Sequence, residues 1–188
     1  PILLGRESKI RQLIKDNALD LDDVKIIDPK SNEQAIIRNQ FGDVLFEKRK
    51  RKGMTLNEAQ KLMRERNYFG SMMVDQDMAD AFISGISRNY PITLRPALQI
   101  IGMEDGVDRV AGMFILNTKK GTLFLADTTI NINPSSQELA NIAMLTAKTV
   151  RRFNVVPRIA LLSYSNFGSS LNSNVFKITE ALKIIKET

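Results

Sequence analysis

Cysteine, histidine and tryptophan are missing from the chain. Without cysteine there is no disulfide, thiolate metal site, iron–sulfur cluster or cysteine nucleophile. Without histidine there is no His-ligated metal, no Ser–His–acid triad and no imidazole general base. Glycine (10) and proline (6) are too few for a collagen-like or linker-like chain. No apolar run approaches the ~18 residues of a membrane span. The opening run Pro1-Ile2-Leu3-Leu4 is far too short for a signal peptide. A start on proline, directly on what reads as a strand, suggests a piece of a longer chain. The lack of a signal and of cysteine is compatible with the cytoplasm, the expected location.

What is there reads as ordinary globular protein. The 188 residues are 43% hydrophobic, with 27 Lys and Arg against 21 Asp and Glu, a net charge of +6. A chain this long buries about two thirds of its unfolded surface and needs no staple. The basic excess is uneven: residues 1–110 hold 18 basic and 17 acidic side chains, residues 111–188 hold 9 and 4.

Short apolar runs alternate with helical patterns, which predicts an α/β fold with a mostly parallel sheet. Strands are expected at Pro1–Gly5, Val24–Ile27 and Arg158–Ser163, and at Ala79–Ser84, the better strand of two apolar stretches of which Phe69–Val74 is the other. Helices are expected over Arg6–Leu19, behind a Ser31/Gln34 capping box, from Thr55/Glu58 to about Arg66, over Thr93–Ile101, and from Ser135/Glu138 onward. Val175, Ile178, Leu182 and Ile185 mark the face of a last helix. Gly53 suits a helix end. Asn117-Thr118-Lys119-Lys120-Gly121 between two apolar runs is a hairpin signal. Glu104-Asp105-Gly106 breaks the pattern. Two partial α/β lobes are therefore expected, residues 1–109 and 110–188, the second with a β-hairpin near 117–121.

Several stretches carry candidate chemistry. Lys48-Arg49-Lys50-Arg51-Lys52 reads first as a solvated helix end. Nucleic-acid binding is disfavoured, because no aromatic interleaving accompanies the run. A third reading turns one arginine into a cleft, where its planar fork holds a phosphate. Ser84-Gly85, at the end of an apolar run, stands where α/β folds bind ligands. Thr93-Leu94-Arg95-Pro96 reads as a helix opening with an arginine beside free N–H groups, an anion site. Its alternative is a capped helix with a surface arginine. Asp127–Pro134 either lines a cleft or satisfies its own turns. Ser163–Ser170 is hydroxyl-rich, with Gly168, but lacks the lysine of a phosphate-binding P-loop. Asp75, Asp77 and Asp80 lack the glycine and distal glutamate of a calcium loop and read as solvated.

Eight marks in order give the chain a resemblance. They are Pro1–Gly5, Arg49 ahead of Lys52-Gly53-Met54-Thr55, Tyr68-Phe69-Gly70, Ala79-Asp80-Ala81, Ser84-Gly85, Thr93–Gln99, Leu125–Thr129 and Leu162–Ser165. With these the chain resembles the phosphate acetyl/butyryltransferase family over nearly its whole length. Ser84–Pro91 and Leu125–Pro134 resemble one branch, the C-terminal phosphotransacetylase-like domain of bacterial NADP-dependent malic enzymes. The resemblance implies a two-lobed, three-layer α/β/α fold of the isocitrate/isopropylmalate dehydrogenase-like kind, incomplete at both ends. It implies acetyl transfer between coenzyme A and phosphate. It also implies cleft arginines Arg49 and Arg95, with Ser84, Gly85 and Thr93 lining the acyl and phosphate site and Ser163, Ser165 and Gly168 on a loop facing it.

The departures from the family pattern shape the functional expectation. Where the transacetylases carry a His-Thr-Thr-Ala-Asp-like stretch, this chain reads Arg88-Asn89-Tyr90-Pro91-Ile92. It stops before a later segment with a Ser-Arg pair and an aspartate that assists thiol deprotonation. The expected function is therefore a non-catalytic, regulatory module of a malic enzyme that binds acetyl-CoA or acetyl phosphate. A sensor needs binding energy rather than transition-state stabilisation. NADP, a divalent metal and the oxidative decarboxylation of malate would belong to an upstream malic-enzyme domain, and homo-oligomers are expected. The alternative is a genuine phosphate acetyltransferase or butyryltransferase. No nucleic-acid or membrane partner is expected.

Overall fold

In the computed structural model, residues 1–107, 109–165, 169 and 172–187 are described. The chain divides into two compact units, Pro1–Glu104 and Asp105–Thr188.

In the first unit, β1 (Ile2–Leu4) pairs in parallel with β2 (Lys25–Ile27), with Leu3 opposite Ile26. Helix α1 (Glu7–Asp16) makes the crossover between them. Four more helices follow: α2 (Ala35–Arg49), α3 (Leu56–Leu62), α4 (Arg66–Asp75) and α5 (Tyr90–Ile100). Phe41 and Leu45 of α2 meet Ala59 of α3, Phe69, Met72 and Met73 of α4 and Ile100 of α5 in one buried cluster. The Phe41 and Phe69 rings are 5.2 Å apart and tilted by 59°, a favoured aromatic geometry. Residues 67–73 are all buried, so α4 runs through the middle of its unit.

Local signals set most boundaries. Thr55 and Glu58 form the reciprocal capping box at α3. Gly53, at φ 86°, ends the 3₁₀ turn Lys50–Lys52 that prolongs α2. The expected Ser31 box does not form. Helix α2 starts at Ala35 without a side-chain cap. Buried Arg38 donates back to the carbonyls of Pro29 (2.9 Å) and Ser31, which holds the loop ahead of the helix. Lys48 binds both Asp75 (2.7 Å) and the carbonyl of Ile100 (3.2 Å), so it ties the C-terminal ends of α2, α4 and α5 together.

In the second unit, β3 (Met113–Thr118) and β4 (Gly121–Ala126) form an antiparallel hairpin with Lys119 and Lys120 at its tip. Helices α6 (Ser136–Arg151) and α7 (Ser173–Glu187) pack on each other. Ser135 and Glu138 form the second capping box.

The fold is α/β, with small sheets among the described residues: one parallel pair and one hairpin. Three expectations change. Ala79–Ser84 and Arg158–Ser163 are not strands, because among the described residues neither finds a neighbouring strand to complete its hydrogen bonds. Apolar Phe69–Val74 is helical, inside α4. Helix α5 begins at Tyr90, not Thr93. Asn89 caps it by accepting from the Ile92 N–H (3.3 Å), and Pro91 sits in its first turn, where a missing N–H does no harm.

Gly42 marks the tightest helix contact. A Cβ there would lie 2.7 Å from Gln60 Cγ and 2.9 Å from Gln60 Cα. Gly42→Ala should therefore destabilise the protein by about 1–2 kcal/mol, against the gain of up to ~1 kcal/mol that helix propensity alone favours. Denaturant titration checks this: a midpoint at or above that of the parent protein contradicts the close approach.

Candidate functional site

A groove of about 470 Å³ lies in the first unit where the end of α2 meets α3, α4 and α5. Arg49, the last residue of α2, lines it. So do Lys52, Gly53 and Met54 of the turn that follows, Glu58, Lys61 and Leu62 of α3, Tyr68 of α4, and Arg95 and Gln99 of α5. The left-handed Gly53 turns the chain so that Met54 reaches the groove. Arg95 and Gln99 are four residues apart, hence on one face of α5.

Charge dominates this groove. Four cations line it beside one carboxylate, and among the described residues none of the four makes an ion pair. The carboxylate, Glu58, is already engaged. It accepts from the Thr55 N–H (2.9 Å) and the Thr55 hydroxyl (2.9 Å). These bonds hold its pKa below the ordinary value, the backbone bond contributing most, with a smaller contribution from Lys61. Tyr68, only 8% exposed, donates to Gln99 Oε1 at 2.7 Å. Burial pushes its pKa up, partly opposed by Arg95 and Arg49. The phenol thus stays protonated among cations. A cluster of unpaired guanidinium and ammonium groups beside a neutral hydroxyl is suited to bind phosphate-bearing anions.

The basic run Lys48–Lys52 divides its work. Lys48 ties three helix ends, Lys50 pairs with Glu47, Arg49 and Lys52 line the groove, and Arg51 is exposed. The sequence singled out eight residues, and the structure brings Arg49 and Arg95 to one site. Ser84 and Gly85 lie in the segment before α5 and do not line the groove. Ser84 donates to Asn67 Oδ1 at 2.8 Å. Gly85, at φ 146°, adopts a backbone conformation that favours glycine. Thr93 is not at the helix opening. Its N–H and its hydroxyl both bond the Asn89 carbonyl, at 3.3 Å each, so it offers no free backbone donor. Ser163 and Ser165 belong to the second unit, where each bonds the other's loop: Ser163 Oγ donates to the Ser165 carbonyl (2.9 Å) and accepts from the Ser165 N–H (3.1 Å). Gly168 lies outside the described residues.

Of the three aspartates considered for a cation, Asp75, Asp77 and Asp80, Asp75 is committed to Lys48. Among the described residues no acidic cluster is placed to hold a metal ion. Asp127 has φ 57°, and its N–H bonds the Gly112 carbonyl at 3.0 Å. Gly112 is needed there, since a Cβ would meet Thr129 Oγ1 at 2.6 Å. Sequence reasoning missed Lys61 and Asn67. Lys61 sits in an ordinary helical pattern with nothing to set it apart. Tyr68, Met54 and Gln99 stood inside quoted motifs but were given no role.

The family model described as phosphate acetyl/butaryl transferase matches residues 1–188. A phosphate acetyltransferase of Bacillus subtilis is 39% identical over 187 residues, covering 100% of this chain and 57% of the relative. One from Helicobacter pylori is 38% identical over 186 residues, covering 99% of this chain and 35% of the relative. A phosphotransacetylase structure from Streptococcus pyogenes matches with a TM-score of 0.80 at 36% identity, covering 100% of this chain and 56% of that one. The EutD phosphotransacetylase from Staphylococcus aureus matches with a TM-score of 0.77 at 34% identity, with the same coverage. The chain thus spans about half the length of most of these relatives, and matches them from end to end of its own sequence. It belongs to the phosphate acetyl/butaryl transferase family.

Proposed function

We propose that the chain carries part of the ligand site of a phosphate acyltransferase, which moves an acetyl group between coenzyme A and phosphate. In that reaction the coenzyme's thiolate attacks the acyl carbon, the new carbon–sulfur bond forms, and the carbon–oxygen bond to phosphate breaks. The phosphate departs with the electron pair. Both phosphate and the coenzyme's own phosphate groups are anions, and fixed guanidinium groups stabilise such charge. The observation that carries this reading is the convergence of Arg49 and Arg95, both without ion pairs among the described residues, on one groove around Tyr68.

Of the two functions that the resemblance implied, the phosphate acetyltransferase relatives favour the transferase over the regulatory malic-enzyme module. The second rests on the resemblance of Ser84–Pro91 to the malic-enzyme branch. In Arg88–Ile92, Asn89 and Pro91 start α5 and Arg88 pairs with Glu65 at 3.2 Å. The stretch that departs from the family pattern is thus engaged in structure. On this second reading acetyl-CoA binds without turnover and modulates a linked malate-oxidising domain.

Steady-state kinetics of the intact protein, with acetyl phosphate and coenzyme A, separate the two. Turnover supports the transferase, whereas acetyl-CoA binding without turnover supports the sensor. Arg49→Ala and Arg95→Ala should each cost about 2 kcal/mol, roughly thirtyfold in KM for the anion they hold. An unchanged KM for both acetyl phosphate and coenzyme A removes the groove from the site.

Tyr68 gives a second test. Its raised pKa means that the folded state holds this proton more tightly than the unfolded one. Its contribution to stability is therefore complete below the unfolded value and is lost as pH rises through the folded value. Tyr68→Phe should remove the part of the absorbance titration at 295 nm that lies above the ordinary tyrosine range. A titration curve identical in both proteins contradicts the buried setting of Tyr68.

A further inference from the structure

The ammonium of Lys48 stands where three helices end. Lys48 lies in the last turn of α2. Its Nζ donates to Asp75 Oδ1 at 2.7 Å and to the Ile100 carbonyl at 3.2 Å. Asp75 is the last residue of α4, and Ile100 is the last of α5. Each helix brings partial negative charge to this point, and the Asp75 carboxylate adds to it, so a cation is favoured here. The Ile101 and Gly102 N–H groups both go to the Ala97 carbonyl, at 2.9 and 3.0 Å. The Ile100 carbonyl has no partner within its helix, and Lys48 meets it.

Lys48 does not line the groove, but the neighbours of its contacts do. Arg49 follows it on α2. Gln99 precedes Ile100 on α5, with Arg95 one turn further back. The apolar cluster of Phe41, Leu45 and Ile100 holds these helices together without direction. A hydrogen bond has a preferred length and angle, so it resists sliding of one helix on another. The Lys48 side chain is 37% exposed, and so open an ion pair adds little to stability. Its effect falls on geometry instead. Two guanidinium groups grip one anion only at the right separation, and a misplacement of about 1 Å costs up to about a hundredfold.

We propose that Lys48 is a positioning residue: by clipping the ends of α4 and α5 to α2 it sets the separation of Arg49 and Arg95, and so the affinity of the groove for its anion, without touching that anion. The inference rests on the transferase reading of the groove and adds to it a residue outside the groove.

Kinetics of the intact protein with acetyl phosphate and coenzyme A test it, read on the substrate whose KM Arg49→Ala raises. Lys48→Met keeps the stem and removes the ammonium. It should raise that KM about tenfold, with kcat within about twofold of the parent. A lysine that only stabilises the fold gives the opposite pattern: fewer folded molecules, hence a lower kcat at unchanged KM. That pattern overturns the proposal. Asp75→Ala separates positioning from bare charge. Removing a carboxylate leaves the surroundings more positive, so attraction at a distance alone lowers the KM of an anion. Loss of the clip instead raises it, by about threefold, since Lys48 keeps the Ile100 carbonyl. A lowered or unchanged KM overturns the proposal. Lys48→Met combined with Arg49→Ala should lie within about threefold of Arg49→Ala alone, because no separation is then left to hold. Fully additive losses overturn the proposal too. If Lys48→Met does not fold, the sign of the Asp75→Ala effect decides. If Arg49→Ala and Arg95→Ala raise KM while Lys48→Met and Asp75→Ala behave as the parent, this inference alone falls. If none of these variants alters either KM, the transferase reading of the groove falls with it.

Discussion

The burial of α2 against α4 and α5 sets the position of everything else in the first unit. Phe41 and Leu45 fix the rotation of α2 by packing on Phe69 and Met72. One helical turn later Lys48 is pinned by Asp75 and by the last carbonyl of α5. A helix advances about 100° per residue, so once Lys48 is held, the direction of Arg49 is settled too. It turns to the same groove as Arg95, whose helix is pinned by the same lysine. Apolar packing supplies the affinity between these helices, and Lys48 sets their register.

The groove concentrates like charge without an internal neutraliser. Glu58 is drawn away by the α3 capping box, and Tyr68 is kept neutral by burial. Four cations near one another repel, and they remain solvated because the groove is open at the surface. An incoming anion relieves that repulsion while gaining fixed donors. The stretch Arg88–Ile92 does not line the groove. Those residues build the start of α5 and the Glu65 pair, and α5 then delivers Arg95 and Gln99 from its middle turns.

Much of the local structure was legible in the residues. The capping boxes Thr55/Glu58 and Ser135/Glu138, the left-handed Gly53 and the hairpin at Lys119-Lys120 follow from short-range rules, and all of them form. Errors came where short-range rules compete with tertiary context. Ala79–Ser84 and Arg158–Ser163 have strand composition, yet a strand exists only with a partner. Phe69–Val74 is apolar on all sides because α4 is enclosed, and continuous burial erases the periodicity that separates helix from strand. The Ser31/Gln34 pattern is a short-range cap signal, yet α2 starts at Ala35 with no side-chain cap.

The sequence alone determined that this chain has no cysteine or histidine side chain, and it set the family motifs and the basic run, because these are matters of which residues are present and in what order. It could not say which member of Lys48–Lys52 faces a ligand, since all five share one charge and one stretch of chain. That choice belongs to the tertiary structure: the helix packing directs Arg49 inward and Arg51 to solvent. Nor does anything in the order of residues join Asn67 to Ser84, seventeen positions apart. Their hydrogen bond arises from the way the segment before α5 lies along α4, a relation that side-chain packing creates and local pattern does not encode.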